Sequence, residues 1–89
     1  MTTKEFNFQW RHPANDVIVT GEFDNWSKSL KLINEDFIHS VKVEIDSQKK
    51  QLFKFVVDGV WRCSLDFETE IDEIGNYNNV IYPDNMRFE

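Results

Sequence analysis

The dipeptide Asp58-Gly59 restricts this chain more than any other feature. It lies inside Phe53-Lys54-Phe55-Val56-Val57-Asp58-Gly59-Val60-Trp61, between two apolar alternating runs. Asp-Gly in that setting marks a two-residue type I′ turn, whose central residues both need φ > 0, and hence a β-hairpin. Val57 then pairs with Val60, and Val56 with Trp61. Side chains alternate faces along a strand and cross-strand partners share a face. Phe53, Phe55 and Val57 therefore point one way, while Lys54, Val56 and Trp61 point the other. A chain with this unit must build a sheet, and that sheet carries an aromatic row to bury.

The rest of the sequence keeps the period of two. Phe6, Phe8 and Trp10 alternate with Asn7, Gln9 and Arg11 and stop at Pro13. Val17-Ile18-Val19-Thr20 is a β-branched run ending at Gly21, and 22–26 reads as a turn-rich connection. Leu30 to Ile33 predicts a short strand, and Asn34-Glu35-Asp36 a turn. Phe37, His39, Val41, Val43 and Ile45 alternate as one long strand, and 46–51 is a polar loop. Residues 64–73 are acidic and weakly patterned, and Val80-Ile81-Tyr82 is a last strand before Pro83. About seven short strands with regular turn signals predict an all-β, immunoglobulin-like sandwich of antiparallel strands. With no repeat or linker, residues 1–89 read as a single domain. That length is near the small end for unaided folding, so the eight Phe and three Trp must pack efficiently.

Several function classes are disfavoured. The net charge is −6, and the basic residues Lys28, Lys31, Lys42, Lys49, Lys50, Arg62 and Arg87 are scattered among sixteen carboxylates. Non-specific nucleic-acid affinity needs phosphate-neutralising cations, so DNA is a disfavoured partner. No apolar run approaches the ~20 residues that cross a bilayer, and Met-Thr-Thr-Lys-Glu-Phe lacks a signal-peptide core, so no membrane partner is expected. The single Cys63 fits a reducing compartment, cytoplasmic or nuclear, where the acceptor pattern Asn25-Trp26-Ser27 is idle. There is no nucleophile elbow, no phosphate-cradling loop and no His/Cys metal set, so neither catalysis nor a cofactor is expected. The acidic run Asp66, Glu68, Glu70, Asp72 and Glu73 lacks calcium-loop spacing and reads as a solvated loop.

What remains is the outer face of the hairpin. An exposed indole beside a long ammonium side chain suits a sugar ring, which lays its C–H face on Trp61 and gives hydroxyls to Lys54. Plainer readings stand beside it. Trp61 could cover a partner interface, and Lys54 could simply face solvent. Trp26 divides evenly between ligand contact and loop anchor. Trp10 reads as a core or rim residue, His39 as a satisfied core-edge histidine, and Cys63 as a thiol on the Lys54 face with no catalytic partner.

Three ordered blocks carry a resemblance to a known family: Gly21-Glu22-Phe23-Asp24-Asn25-Trp26, the hairpin 53–61, and Asn78-Asn79-Val80-Ile81. Together with Phe8-Gln9-Trp10 they resemble the glycogen-binding domain of the AMP-activated protein kinase β subunit, a starch- and glycogen-binding module, over residues 6–82. The resemblance implies a small β-sandwich and a non-catalytic α-glucan-binding module, for oligosaccharide or polysaccharide. It implies a glucan site of Trp26, Lys54 and Trp61 with a late loop of Ile74, Gly75, Asn76, Asn78 and Asn79. Ile74 stands where the family has a leucine, and Asn76 where it has a threonine. The family's Asp-Pro after the second tryptophan is replaced by Arg62-Cys63-Ser64-Leu65-Asp66-Phe67. That segment is similar to yeast members that recognise cruciform DNA or take part in pheromone signalling. The resemblance thus also implies kinase or signalling proteins as partners. Two alternatives are a binder of four-way DNA junctions and a protein-interaction domain whose sugar site has drifted.

Overall fold

The computed structural model describes residues 3–83. Among the described residues nine strands follow in chain order: β1 (Thr3–Trp10), β2 (Val17–Gly21), β3 (Leu30–Lys31), β4 (Ile33–Glu35), β5 (Ile38–Asp46), β6 (Gln51–Val57), β7 (Val60–Arg62), β8 (Thr69–Ile71) and β9 (Tyr77–Ile81). A 3₁₀ turn, Glu22–Asp24, follows β2. The strands form two antiparallel sheets, one in the order β1-β5-β4 and the other β3-β2-β6-β9-β8, with β7 added along β6. The fold is the all-β sandwich that the alternation predicts.

The core sits where the apolar faces of the two sheets meet. Phe8 and Trp10 from β1 pack with Val17 and Val19 from β2 and with Phe53, Phe55 and Val57 from β6. Aromatic rings form its centre: Phe8 lies 5.0 Å from Phe53 edge-on, and Phe67 reaches Phe53 at 5.3 Å. Burying one such side chain contributes about 1.5–3 kcal/mol, which is how so short a chain offsets its ordering entropy. Gly21 is required by close approach. A Cβ there would stand 2.4 Å from the Leu52 carbonyl oxygen and 2.7 Å from the Phe53 Cβ.

Four features differ from the sequence expectation. Leu30–Ile33 is not one strand. β3 pairs with β2 and β4 with β5, so the chain changes sheets at Leu32, whose buried side chain forms the corner. The following turn is Asp36-Phe37 rather than Asn34–Asp36, and Phe37 is 89% exposed outside the strand. The acidic stretch contains β8, which pairs with β9, and β9 itself begins at Tyr77. His39 is buried opposite Trp10, but neither ring nitrogen has a hydrogen-bond partner among the described residues, so it is not a satisfied histidine.

Candidate functional site

The predicted hairpin is present in the predicted register. Asp58 and Gly59 have φ of 51° and 83°, Val57 pairs with Val60, and Val56 with Trp61. Phe53 and Phe55 are fully buried, while Trp61, on the other face, is 46% exposed. Asp58 has a second role. One oxygen of its carboxylate accepts the backbone N–H of Asn15 at 3.0 Å and that of Asp16 at 2.8 Å, which ties the turn to the segment entering β2.

Lys54 lies where the sheet forks. The first half of β6 pairs with β9 as far as Phe53 opposite Asn79, and the second half pairs with β7 from Phe55 opposite Arg62. Lys54 falls between the two partners. Its cross-strand neighbour on the other side is Thr20 of β2. Cys63 follows β7 at the mouth of the fork and lies close enough for the Lys54 charge to act on it. Partial burial raises the thiol pKa, and Lys54 opposes that shift.

The Trp26 loop folds back over the same face, and Asp24 is its organiser. One carboxylate oxygen accepts the Gly21 N–H at 2.9 Å, the Thr20 hydroxyl at 3.0 Å and the Trp26 N–H at 3.2 Å. The Lys28 N–H donates to the Thr20 hydroxyl at 3.1 Å, which explains why Thr20 is fully buried on an outer face. The Lys28 ammonium reaches to 5.9 Å from the Trp61 ring centroid, within cation–π range. Asn25, Trp26 and Lys28 all adopt left-handed backbone, with φ of 56°, 58° and 58°. Such a conformation costs an L-residue roughly 1–2 kcal/mol, and Trp26 bears it while 36% exposed.

Asp72 organises the late loop. Its carboxylate accepts the Asn76 N–H at 2.9 Å, the Ile74 N–H at 3.1 Å and the Asn78 side-chain amide at 3.0 Å. These donors, Asn76 foremost, hold its carboxyl below the usual aspartate range, and the nearby Lys54 adds to the effect. Ile74 is 83% exposed and Asn76 is exposed, so the loop offers both an apolar and an amide group to solvent. Asn78 is 5% exposed and partly committed to Asp72. Asn79 is fully buried. Its amide accepts the Ser64 N–H at 2.7 Å and donates to the Ser64 carbonyl at 2.9 Å and the Glu68 carbonyl at 3.3 Å. It closes the fork from the inside and presents no free group to solvent.

The structure therefore brings Lys54, Trp61 and the Trp26 loop to one face, with the 72–78 loop reaching it through Asp72 and Lys54. Both tryptophans are exposed on it. A depression of about 480 Å³ adjoins the hairpin, lined among others by Trp10, Asp58, Val60, Arg62 and Cys63. Glu70 is held by Lys50 at 2.6 Å and by the Tyr82 hydroxyl at 2.8 Å, so this member of the acidic run is paired within a strand. Sequence reading missed Asp24, Asp72 and Lys28. An Asp two and four residues before the N–H groups it collects is a signal for Asp72, and one two residues before Trp26 and three after Gly21 for Asp24, whereas Lys28 depends on a contact distant in sequence.

Comparison with known proteins adds a family. A sequence profile described as the glycogen recognition site of AMP-activated protein kinase matches residues 4–89. The chain is similar to the 5'-AMP-activated protein kinase subunit beta of Schizosaccharomyces pombe, 39% identical over 74 residues, covering 82% of this chain and 24% of that protein. It is also similar to a signal transduction protein of Saccharomyces cerevisiae, 38% identical over 86% of this chain and 22% of that protein. A cruciform DNA-recognizing protein of the same yeast is 36% identical over 85% of this chain and 17% of its own length. The chain thus spans a quarter or less of each of these relatives.

Proposed function

The chain belongs to the family of the AMP-activated protein kinase glycogen recognition site, and from that premise we propose that it is a non-catalytic α-glucan-binding module. The observation that carries the proposal is the placement of Trp61. Its ring stands opposite the buried phenylalanine row, beside Lys54 and under the loop that holds Trp26. Indole faces stack on the C–H faces of glucose rings, and the Lys54 ammonium donates to ring hydroxyls. Ile74 and Asn76 give the rim an apolar and a hydrogen-bonding contact. Asn78 and Asn79 act behind them, holding the loop and the fork in shape. Two exposed rings on one face suit a polymer, which can lay successive sugars across them.

Kinase or signalling proteins, in the cytoplasm or nucleus, form the second part of the proposal, supported by what two of the relatives are called. Isothermal titration with maltoheptaose, with cellohexaose as the β-linked control, tests the first part. Saturable heat from the α-linked sugar alone is expected. Equal heats from both, or none from either, would refute the reading.

A further inference from the structure

The turn joining β4 to β5 is built from residues poorly suited to it. Glu35 pairs with Ile38, which leaves Asp36-Phe37 as a two-residue connection with φ of 52° and 68°. Both central positions of such a turn are left-handed, and glycine or asparagine fills them at least cost. Phe37 instead holds a bulky ring there, against the steric preference of an L-residue, and leaves it 89% exposed. Strained backbone of this kind gathers where a ligand is held. The same pairing of left-handed backbone and an exposed aromatic ring occurs at Trp26, on the candidate glucan face.

Beside the Phe37 ring is a depression of about 400 Å³, lined among others by Arg11, Asn15, Asn34 and His39. The Arg11 guanidinium is oriented by two bonds to the Gln9 side-chain oxygen, at 2.9 and 3.2 Å, and keeps further N–H groups to donate. His39 is 3% exposed, and both of its ring nitrogens lack a hydrogen-bond partner among the described residues. Those nitrogens are sealed from solvent, so the groups of the hollow that a ligand can reach are the Arg11 guanidinium and the exposed amides of Asn15 and Asn34. A flat ring, two neutral amides and one guanidinium around a shallow hollow match a neutral polyol better than an anion.

We propose that this hollow is a second carbohydrate subsite, with Phe37 as its stacking platform and a short α-linked glucose segment as its ligand. The identity of the sugar rests on the glucan reading above, while the residues are independent of it. Phe37 stands in a turn of the β1-β5-β4 sheet and Trp61 in the other sheet, so one domain would hold two separate segments of a branched polymer. Two sites on one polymer raise apparent affinity without any new contact at either.

The test is a ¹⁵N-resolved NMR titration with maltotriose of the unaltered chain and of the Trp61→Ala, Phe37→Ala and doubly substituted variants. Both rings are exposed, so these variants retain the fold, and Phe37→Tyr serves as the conservative rescue. Amides 34–38 are expected to shift in the Trp61→Ala variant. The affinity they report should weaken by roughly tenfold or more when Phe37→Ala is added, and return with Phe37→Tyr. Silence at 34–38 while the Trp61 indole moves overturns the subsite and leaves the main reading standing. Movement at 34–38 with a silent Trp61 upholds the subsite and overturns the main reading. Silence at both overturns both.

Discussion

At the residue scale, exposure separates side chains that meet a ligand from those that hold the chain together. Trp61 is 46% exposed and Asn79 is fully buried, though the sequence resemblance implies both as glucan contacts. Trp61→Ala should therefore leave the melting temperature nearly unchanged while weakening maltoheptaose binding by about 2 kcal/mol or more, as truncation of an aromatic anchor does. Titration calorimetry beside a thermal melt checks both halves. Unchanged affinity would remove this face from consideration. Asn79→Ala should behave in the opposite way. It strips partners from the Ser64 N–H and C=O, and each buried group left unsatisfied costs about 1–3 kcal/mol. Chemical denaturation should show that loss, and Asn76→Ala, at an exposed position, should show almost none. Equal stability losses in the two variants would contradict the assignment of Asn79 to the scaffold.

At the scale of elements, two aspartates shape the loops on either side of the hairpin. Asp24 holds the Trp26 loop and Asp72 the 72–78 loop. The Asp72 carboxyl is held below the usual aspartate range because the Asn76 N–H and its fellow donors bond its ionised form. A folded-state pKa depressed in this way stabilises the loop at every pH above the ordinary carboxylate range. The contribution is lost as pH falls through the depressed value. Glucan affinity should thus be flat from neutrality to about pH 5 and decline only below about pH 4. Titrations across that range would show it, and a decline beginning at about pH 6.5 would implicate a histidine instead. The hairpin and the long strands are legible in the sequence because Asp-Gly and period-two alternation are local signals. β8 is not, since Thr69–Ile71 offers one apolar residue among acidic neighbours and is a strand only because β9 lies beside it. Alternation assigns Phe37 to β5 because the apolar period runs one position past the strand, and a turn of Asp-Phe lacks the glycine that would mark it. The Lys54–Trp61 pair follows from register alone. The Trp26 loop does not, because its bonds to Thr20 and its reach to Trp61 are tertiary.

At the scale of the whole molecule, charge distinguishes the candidate ligands. The chain carries −6 overall, and its cations are dispersed. Sugar stacking and hydroxyl hydrogen bonds release no counterions, so glucan affinity should barely change between low and high salt. DNA binding would lose affinity with a slope of about −0.9 in log K against log salt for each phosphate neutralised. A four-way junction should accordingly bind this domain weakly at physiological salt, and Trp61→Ala should not alter that binding. Tight junction binding at physiological salt, detected by fluorescence anisotropy, would favour the nucleic-acid alternative to which the cruciform DNA-recognizing relative points.

The three tryptophans provide the most direct test of the glucan face, because the fold assigns them different fates. Trp10 is 5% exposed in the core, whereas Trp26 and Trp61 are exposed on the outer face. Each indole N–H gives its own signal in a ¹⁵N-correlated spectrum, so one titration with β-cyclodextrin reads all three at once. The signals of Trp26 and Trp61 should move together along one saturable curve while that of Trp10 stays in place. A spectrum in which Trp26 and Trp61 remain still, or in which Trp10 alone responds, would contradict the account.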